Sequence, residues 1–518
     1  MGSDQHSTVS VGRGPLSFAD VVAVARHGAR VAVTADAIAE VRRTRAVVDA
    51  LADDPEPHYG ISTGFGALAT RHIPVERRAS LQRSLVRSHA AGSGPEVERE
   101  VVRALMLLRI STLATGRTGI RPETLQAFVD LLNAGLTPVV HEYGSLGCSG
   151  DLAPLAHCAL ALMGEGVVRD AAGQRQPSAA ALADAGLTPV TFAEKEGLAL
   201  INSTDGMLGM LVLALSDLRR LLTTADVTAA MSVEGLLGSD AVFADDLQAL
   251  RPQPGQALSA ANLRAVLKDS PIRESHRDAS CTRVQDAYSL RCAPQVAGAA
   301  RDTVAHAATV AGYELASAVD NPVITVDDRV ESNGNFHGAP IGYVLDFLAI
   351  VVADLASMSE RRTDRFLDRT RSNGLSAFLA DDPGVDSGYM IAQYTQAAVV
   401  SELKRLAAPA SVDSIPSSAL QEDHVSMGWS AARKLRRSLD GLTRVLAIEL
   451  LTAARGIQLR APLTPAPATG AVIAALLAAG ASAPGPDRWL APEIEIAVQL
   501  VASGEVIVAA ESVTGSLH

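Results

Sequence analysis

The sequence predicts a mainly α protein built around long packed helices. Two leucine stripes support this prediction, because each repeats at spacings of three and four residues and therefore lies along one face of a helix. The stripes are Leu208, Leu211, Leu215, Leu218 and Leu222, then Leu435, Leu439, Leu442, Leu446 and Leu450. Aromatic residues make up only 3% of the 518 residues, whereas sheet proteins favour aromatic and β-branched side chains.

The other elements are predicted from local signals along the chain. Residues 1–15 are expected to be loose, and Pro138–Val140 and Val319–Val326 are short strand candidates. A helix is expected to begin at Asp151. The Pro-, Ala- and Gly-rich stretch 461–486 predicts a surface connection before a short C-terminal helical piece. We expect an N-terminal catalytic domain over residues 1–205 and a long helical bundle with a C-terminal extension over residues 206–518.

Charge and composition exclude several function classes. Lys and Arg total 45 against 57 Asp and Glu, so the net charge of −12 argues against a nucleic-acid partner. Four cysteines lack zinc-like spacing and are too few for a disulfide framework, which predicts a reduced, cytoplasmic chain. Acidic residues or prolines interrupt the apolar stretches, so no membrane span is expected.

The motifs of common cofactor enzymes fail on inspection. Gly147-Cys-Ser-Gly-Asp151 has Asp where the hydrolase elbow G-x-S-x-G needs glycine. His141-Glu142 begins like the zinc motif H-E-x-x-H, but Ser145 occupies the second histidine position. No Walker loop is present, and we predict neither a metal nor an external cofactor.

Ser149 lies in a glycine-flanked loop that leads directly into the helix at Asp151. One hypothesis is a helix cap, in which Ser149 or Asp151 accepts a bond from a free backbone N–H. The other is backbone chemistry: the nitrogen of Gly150 attacks the carbonyl two residues back, and Ser149 then loses water to leave an electrophilic methylidene. The residues alone favour the cap.

Six segments, found in the same order as in a known family, favour the backbone chemistry instead of the cap. Tyr143–His157, which includes Gly-Cys-Ser-Gly-Asp, resembles the signature of the aromatic amino acid ammonia-lyase and aminomutase family. The other five segments also resemble that family: Tyr59–Gly66, Glu196–Asn202, Val284–Cys292, Ser332–Gly338 and Gln421–Met427. The resemblance runs from about residue 15 to the C-terminus, and it implies the mainly α ammonia-lyase/fumarase-like fold with a smaller N-terminal domain.

The resemblance implies a built-in prosthetic group and a role for each matched residue. Cys148, Ser149 and Gly150 would cyclise to 4-methylidene-imidazole-5-one (MIO). Tyr59 would remove the β-proton, and Arg291 would bind the substrate carboxylate in a bidentate pair. Asn202, Gln285 and Tyr288 would bind the carboxylate and the electrophile or assist proton transfer, and Phe336 would line the pocket. Family members are homotetramers with shared active sites, so a homotetramer is expected here.

Two positions bear on the substrate, an amino acid. His89, after Ser88, and Glu422, after Gln421, resemble the pairs found in family members that deaminate L-histidine to trans-urocanate. A carboxylate and an imidazole suit a polar, ionisable ring and would lie unpaired beside a phenyl ring. A tyrosine ammonia-lyase or tyrosine 2,3-aminomutase stays open, because His89 could also meet a phenol. A binding protein that has lost catalysis is the remaining alternative.

Three departures from the family pattern stand out. Cys148 replaces the usual alanine, but its side chain would take no part in ring closure. Ser203 stands where glycine is usual, directly after Asn202. The segment Ser280–Thr282 is also unfamiliar. The last two departures bear on the substrate and leave the predicted fold unchanged.

Overall fold

The computed structural model describes residues 8–54, 56–64, 70–147, 149–277 and 284–518. Its helices confirm the mainly α prediction, and short strands connect them. The helices before residue 205 are α1 (Phe18–His27), α2 (Ala35–Ala52), α3 (Val75–His89), α4 (Arg99–Ala114), α5 (Pro122–Asn133), α6 (Leu152–Leu162), α7 (Ser178–Asp184) and α8 (Glu196–Ile201).

Longer helices dominate the chain after residue 205. They and their shorter neighbours are α9 (Asp205–Gly235), α10 (Asp245–Ala249), α11 (Pro254–Leu267), α12 (Pro271–Glu274), α13 (Tyr288–Arg291), α14 (Ala293–Leu315), α15 (Ala339–Leu367), α16 (Met390–Leu406), α17 (Gly428–Gln458), α18 (Pro467–Ala478), α19 (Ala491–Ser503) and α20 (Glu505–Thr514). The first leucine stripe lies on α9 and the second on α17, and every leucine of both is buried.

The strands are short and form small sheets. They are β1 (Thr8–Val11), β2 (Arg30–Val33), β3 (Ser93–Glu96), β4 (Thr137–Pro138), β5 (His141–Tyr143), β6 (Val167–Arg169), β7 (Arg175–Pro177), β8 (Val323–Ile324) and β9 (Val330–Glu331). β1 pairs with β2 in parallel, and β4, β6 and β7 form an antiparallel sheet. The antiparallel pair β3–β5 matters for function, since it aligns the chain just after His89 with the chain just before Ser149.

Three local predictions were wrong. Residues 8–11 form β1 rather than a loose end, because Val9 and Val11 alternate into the core. Residues 467–478 form α18, where Pro467 occupies the first turn, a position that tolerates proline. The strand candidate 319–326 shrinks to Val323–Ile324, since Pro322 has no N–H to give a sheet.

The chain forms two compact units. The first contains residues 1–216, 308–346 and 409–433, and the second contains residues 217–307, 347–408 and 434–518. Both are therefore assembled from separate stretches of sequence. The division into domains at residues 205 and 206 stays a prediction.

Two helical segments are long and apolar enough to cross a membrane, so the expectation that charges interrupt every such stretch was too strict. They are residues 196–235 and 339–367. The most apolar window of the first is entirely buried inside the protein, and 61% of that of the second is buried. Packing of the chain thus accounts for much of this apolar surface.

Candidate active site

The loop between β5 and α6 carries Ser149 and Gly150 and is held firmly on its N-terminal side. The carbonyl oxygen of Gly147 accepts bonds from Ser426 Oγ at 2.7 Å and from Gly338 N at 3.1 Å. The carbonyl oxygen of Leu146 accepts from Met427 N at 2.9 Å. Cys148 lies outside the described residues. Two other family-like segments, Ser332–Gly338 and Gln421–Met427, therefore converge on this loop.

The C-terminal side of the loop packs against Ser203. Asp151 N donates to Ser203 O at 2.6 Å. Gly150 has φ +76°, and a Cβ atom at this position would overlap the backbone of Ser203. Glycine is thus required twice over at position 150, by its backbone conformation and by the close approach of a second chain segment.

Asp151 caps a different helix from the one that the sequence suggested. It occupies the N-cap position of α6 without a side-chain cap bond, and its carboxylate instead accepts from Met207 N in the first turn of α9 at 2.8 Å. Ser145 Oγ donates to the other oxygen at 2.8 Å. Burial raises the pKa of Asp151 to about 7, against the lowering effect of these bonds.

Ser149 lies beside Glu422, which the family-like motifs placed among the substrate-binding residues. Ser149 Oγ donates to Glu422 Oε1 at 3.3 Å, and Ser417 Oγ donates to Oε2 at 2.9 Å. Ser417 N also donates to the carbonyl oxygen of Glu422 at 2.9 Å. Ser417 therefore orients a carboxylate toward the loop, a role that no sequence motif indicated.

His89, the last residue of α3, lies within electrostatic reach of Glu422. Its Nδ1 is 2.9 Å from the carbonyl oxygen of Leu85, so Nδ1 carries the hydrogen and Nε2 is left as an acceptor. Burial lowers the pKa of His89, with Leu85 O and Glu422 opposing the shift. The imidazole is thus set up as a neutral group beside a carboxylate.

Asn202 ends α8 with its amide fixed in one orientation. Its Nδ2 donates to the carbonyl oxygen of Asn321 at 3.0 Å. Its Oδ1 is buried, and within the described part of the chain it accepts no hydrogen bond. Since buried polar atoms are nearly always paired, this oxygen is available to a bound group.

Tyr59 and Phe336 belong to the same unit and are half-buried. Tyr59 lies in a turn next to Gly60, which has φ +77° and packs closely against Leu198 and Pro322. Phe336 lies in the turn before α15, next to His337, whose Nε2 is 3.2 Å from Nδ1 of His424. Both predicted residues therefore stand on turns fixed by neighbouring packing.

Gln285, Tyr288 and Arg291 belong to the second unit. Tyr288 is 68% exposed, and the Arg291 guanidinium lies over its ring at 4.7 Å from the centroid. Gln285 is exposed just before them. These side chains form a surface set, and the neighbouring segment Ser280–Thr282 lies outside the described residues.

Two further groups were missed by the sequence analysis. Lys195 and Asp320 form an ion pair at 2.6 Å that is wholly buried, and Asn321 beside it holds Asn202. Asp320-Asn321-Pro322 has the composition of a turn, which is the one local signal that could have flagged it. Among the described residues, no group of three or more His, Cys, Asp or Glu side chains could hold a metal ion.

Comparison with known proteins finds relatives that match nearly the whole chain. A sequence profile described as "Aromatic amino acid lyase" matches residues 16–478. The chain is 65% identical to the histidine ammonia-lyase of Streptomyces coelicolor over 511 residues, which are 99% of this chain and 100% of the relative. It is 49% identical to that of Gloeobacter violaceus, with 97% of each chain covered.

Solved structures show the same fold. The tyrosine aminomutase of Streptomyces globisporus superposes with a TM-score of 0.93 at 36% identity, covering 99% of this chain and 100% of the other. The histidine ammonia-lyase of Trypanosoma cruzi superposes with a TM-score of 0.89 at 37% identity, covering 98% and 95%. The predicted fold class is thereby confirmed.

Proposed function

The chain belongs to the aromatic amino acid lyase family, and we propose that it is a carbon–nitrogen lyase that converts L-histidine to trans-urocanate and ammonia. The α-carbon loses its amino group, the β-carbon loses a proton, and a C=C bond forms between them. Relatives named histidine ammonia-lyase are 65% identical over nearly the whole chain. The observation that carries the substrate is the Glu422 carboxylate beside both Ser149 and His89, since an imidazole ring can bond it and a phenyl ring cannot.

The prosthetic group in this proposal is MIO, formed from Cys148, Ser149 and Gly150. The described residues fit such a ring. Gly150 already lies against the Ser203 backbone in a conformation that favours glycine, and the acceptor Asn202 Oδ1 is buried and open to a partner. Once formed, the ring supplies an electrophilic carbon for the substrate amine.

The chain's own side chains perform the binding and proton transfer. Tyr59 takes the β-proton, and Glu422 and His89 bind the imidazole. Arg291 holds the substrate carboxylate, with Gln285, Tyr288 and Asn202 completing the polar contacts. Phe336 packs against the ring of the substrate. A geometry that holds the reacting atoms in place is itself worth a large part of the rate.

The active enzyme is proposed to be a homotetramer with shared active sites. The set formed by exposed Gln285 and Tyr288 and half-buried Arg291 on the second unit is suited to completing a site on another copy. Mixing inactive Tyr59→Phe chains with inactive Arg291→Lys chains, unfolding and reassembling them, then restores part of the activity. If a reassembled tetramer recovers no activity, the proposal that active sites are shared between subunits is contradicted.

A cytoplasmic location is proposed on the chemistry of the thiols. Cys158 and Cys292 are free, as expected where thiols stay reduced.

The experiment that tests the function compares two substrates. Purified chain is given L-histidine or L-tyrosine, and products are identified by absorbance and mass. We expect urocanate from histidine. Ser149→Ala serves as the control: its intact mass should lack the loss of two water molecules that accompanies ring closure, and it should be inactive. Ring-free wild-type chain would instead favour the non-catalytic alternative.

Tyrosine chemistry is the second candidate. The structural match to a tyrosine aminomutase at a TM-score of 0.93 favours it, as does His89, which could bond a phenol. A β-amino acid from L-tyrosine, without urocanate from L-histidine, would establish the aminomutase instead.

A further inference from the structure

Lys195 and Asp320 form a buried ion pair that the proposed reaction does not use directly. Their side chains are 0% exposed, and Lys195 Nζ lies 2.6 Å from Asp320 Oδ2. A buried pair of this kind adds little net stability, because each charge loses its hydration. Lys195 also adopts φ +68°, a conformation that is unfavourable for a residue with a Cβ atom. Such features usually persist at sites where a particular arrangement is needed.

The ion pair fixes the backbone of the turn formed by residues 320–322. The second oxygen of Asp320 accepts from Asn321 N at 2.8 Å, and the carbonyl oxygen of Asp320 accepts from Asn333 Nδ2 at 3.1 Å. Asn321 Oδ1 in turn accepts from Asn333 N at 3.0 Å. The turn from Asp320 to Pro322 is therefore fixed at several points, with one charged anchor at Lys195.

That turn contacts two proposed active-site elements. The carbonyl oxygen of Asn321 accepts from Asn202 Nδ2 at 3.0 Å, which leaves Asn202 Oδ1 facing no donor in the described chain. On the other side, a Cβ atom on Gly60 would lie only 3.1 Å from Pro322 Cδ. Gly60 directly follows Tyr59, so movement of the turn reaches both Asn202 and Tyr59.

A second buried group ties the same two segments together. Arg109 donates to the carbonyl oxygen of Asn202 at 3.4 Å and to that of Val319 at 3.2 Å. Its neighbour Asp205 accepts from the same nitrogen at 3.4 Å. Charge is thus concentrated where residues 202–205 meet residues 319–322.

We propose that Lys195 and Asp320 are positioning residues for the active site. Their ion pair fixes the Asn321–Pro322 turn, and the turn sets the orientation of the Asn202 amide and supports the turn of Tyr59. This proposal rests on the proposed function for the roles of Asn202 and Tyr59. The placement of the turn itself can be tested without substrate.

The test uses a chain in which both charges are removed, Lys195→Met with Asp320→Asn. We expect it to fold and to form the ring, with the same intact mass loss as the unaltered chain. Its kcat should fall about a hundredfold, the scale of a misplacement near 1 Å. A crystal structure should show the Asn202 Nδ2 to Asn321 O bond lost.

The matched control is Arg301→Met with Asp226→Asn, which removes an ion pair of the same 2.6 Å length in the second unit, with Asp226 buried and the Arg301 side chain 11% exposed. The control should lose thermal stability and keep its kcat within about twofold, since neither residue is placed in the active site. If both double variants lose stability alike and keep the same kcat, the Lys195–Asp320 pair is only structural. A crystal structure of the Lys195→Met, Asp320→Asn chain in which Asn202 and Asn321 keep their positions would also overturn the proposal.

Lys195→Arg covers the case in which the double variant fails to fold. It keeps the charge, but the planar guanidinium cannot reproduce a single-point contact in a fully enclosed space. Unchanged kcat and an unchanged Asn202 contact would overturn the proposal. Activities are compared on whichever of L-histidine and L-tyrosine the unaltered chain converts, so a wrong substrate assignment leaves the comparison between variants intact.

Discussion

The carboxylate of Glu449, in the second unit, is buried and paired with a cation. The carboxylate of Asp151, close to Ser149 in the first unit, is also buried but has no cation among its described partners. Glu449 is 0% exposed and accepts from the guanidinium of Arg362, with Nη2 of Arg362 at 2.9 Å from Oε2. Ser232 Oγ and Thr228 Oγ1 donate to it at 2.8 and 3.1 Å. Asp226 in the same unit is also paired, with Arg301 at 2.6 Å.

Asp151 accepts only from neutral groups among its described contacts, namely Ser145 Oγ and the backbone N–H groups of Met207 and Gly206. Burial, helped by the nearby charge of Asp205, raises its pKa to about 7 against these bonds. The second unit thus pairs these buried carboxylates with arginines, whereas Asp151, close to Ser149, is held by neutral donors and has a pKa high enough for the carboxyl to be protonated below about pH 7.

Gly150→Ala should have the largest effect. The added Cβ would overlap the Ser203 backbone and is forced to φ +76°, so we expect no ring and no measurable turnover. Intact mass and steady-state kinetics provide the measurement. Gly173→Ala is the control, since Gly173 has φ +80° and no atom within 4 Å of the added Cβ. It should cost about 1–2 kcal/mol and leave the ring intact; equal behaviour of both variants would contradict the packing argument.

Glu449→Gln should be the most destabilising single change of a charge. It leaves Arg362 buried without its carboxylate, and such losses amount to about 3–5 kcal/mol. Denaturant unfolding measures the effect. Adding Arg362→Met should return part of the stability, because no unpaired charge remains. A loss below about 1 kcal/mol would mean that Arg362 does not depend on the Glu449 carboxylate for charge compensation.

Asp151→Asn at pH 5 should cost far less, at most about 1.5 kcal/mol. At that pH the raised pKa of Asp151 keeps the carboxyl protonated, and asparagine resembles the protonated form apart from its hydrogen bonds. The free energy of unfolding is compared with that of the unaltered chain. A loss as large as that of Glu449→Gln would erase the contrast between the two regions.

The pH dependence of the same variant sharpens the contrast. Burial holds the folded-state pKa of Asp151 above the usual 3.8, so its stabilising contribution is complete below about pH 4 and is lost as pH rises through about 7. The unaltered chain should therefore lose its advantage over Asp151→Asn between about pH 4 and pH 7. An advantage that grows with pH would have the wrong sign.

His157 should show the smallest effect, with the opposite sign. Its Nε2 accepts from Gly92 N at 3.2 Å, and burial lowers its pKa to about 4. Its contribution is present above the usual 6.5 and is lost as pH falls through about 4. Relative to His157→Gln, the unaltered chain should lose stability over that interval, and a flat difference would show that Gly92 is held without the imidazole.

Local sequence patterns predicted the parts of the fold that rest on short-range periodicity. The leucines of α9 and α17 repeat with the helical period, and all are buried. The sequence predicts a connection in place of α18 because Pro462, Pro465 and Pro467 are loop signals, although Pro467 opens the helix. β1 was missed because four residues near the start of the chain give too short a pattern.

The active site was predicted through motif resemblance rather than through geometry. Ser149 and Glu422 are 273 residues apart, and no periodicity relates them. Ser426, Lys195 and Asp320 escaped notice because their contacts join residues 279 or 125 positions apart. Ser417 is only five residues from Glu422, but the segment between them has no periodic pattern that would have flagged the contact. The carboxylate orientation at Glu422 and the amide orientation at Asn202 arise only when the separate stretches of the first unit come together.

The hydrogen bonds that hold the Ser149 loop have a consequence for synthesis on the ribosome. Ser426 and Met427 bind the carbonyls of Gly147 and Leu146, and Ser426 is 279 residues further along the chain than Gly147. At about 5–20 residues per second, that interval takes roughly 15–55 s of translation. The nascent loop therefore emerges long before its partners, and the chain can complete its catalytic loop only when translation is nearly finished.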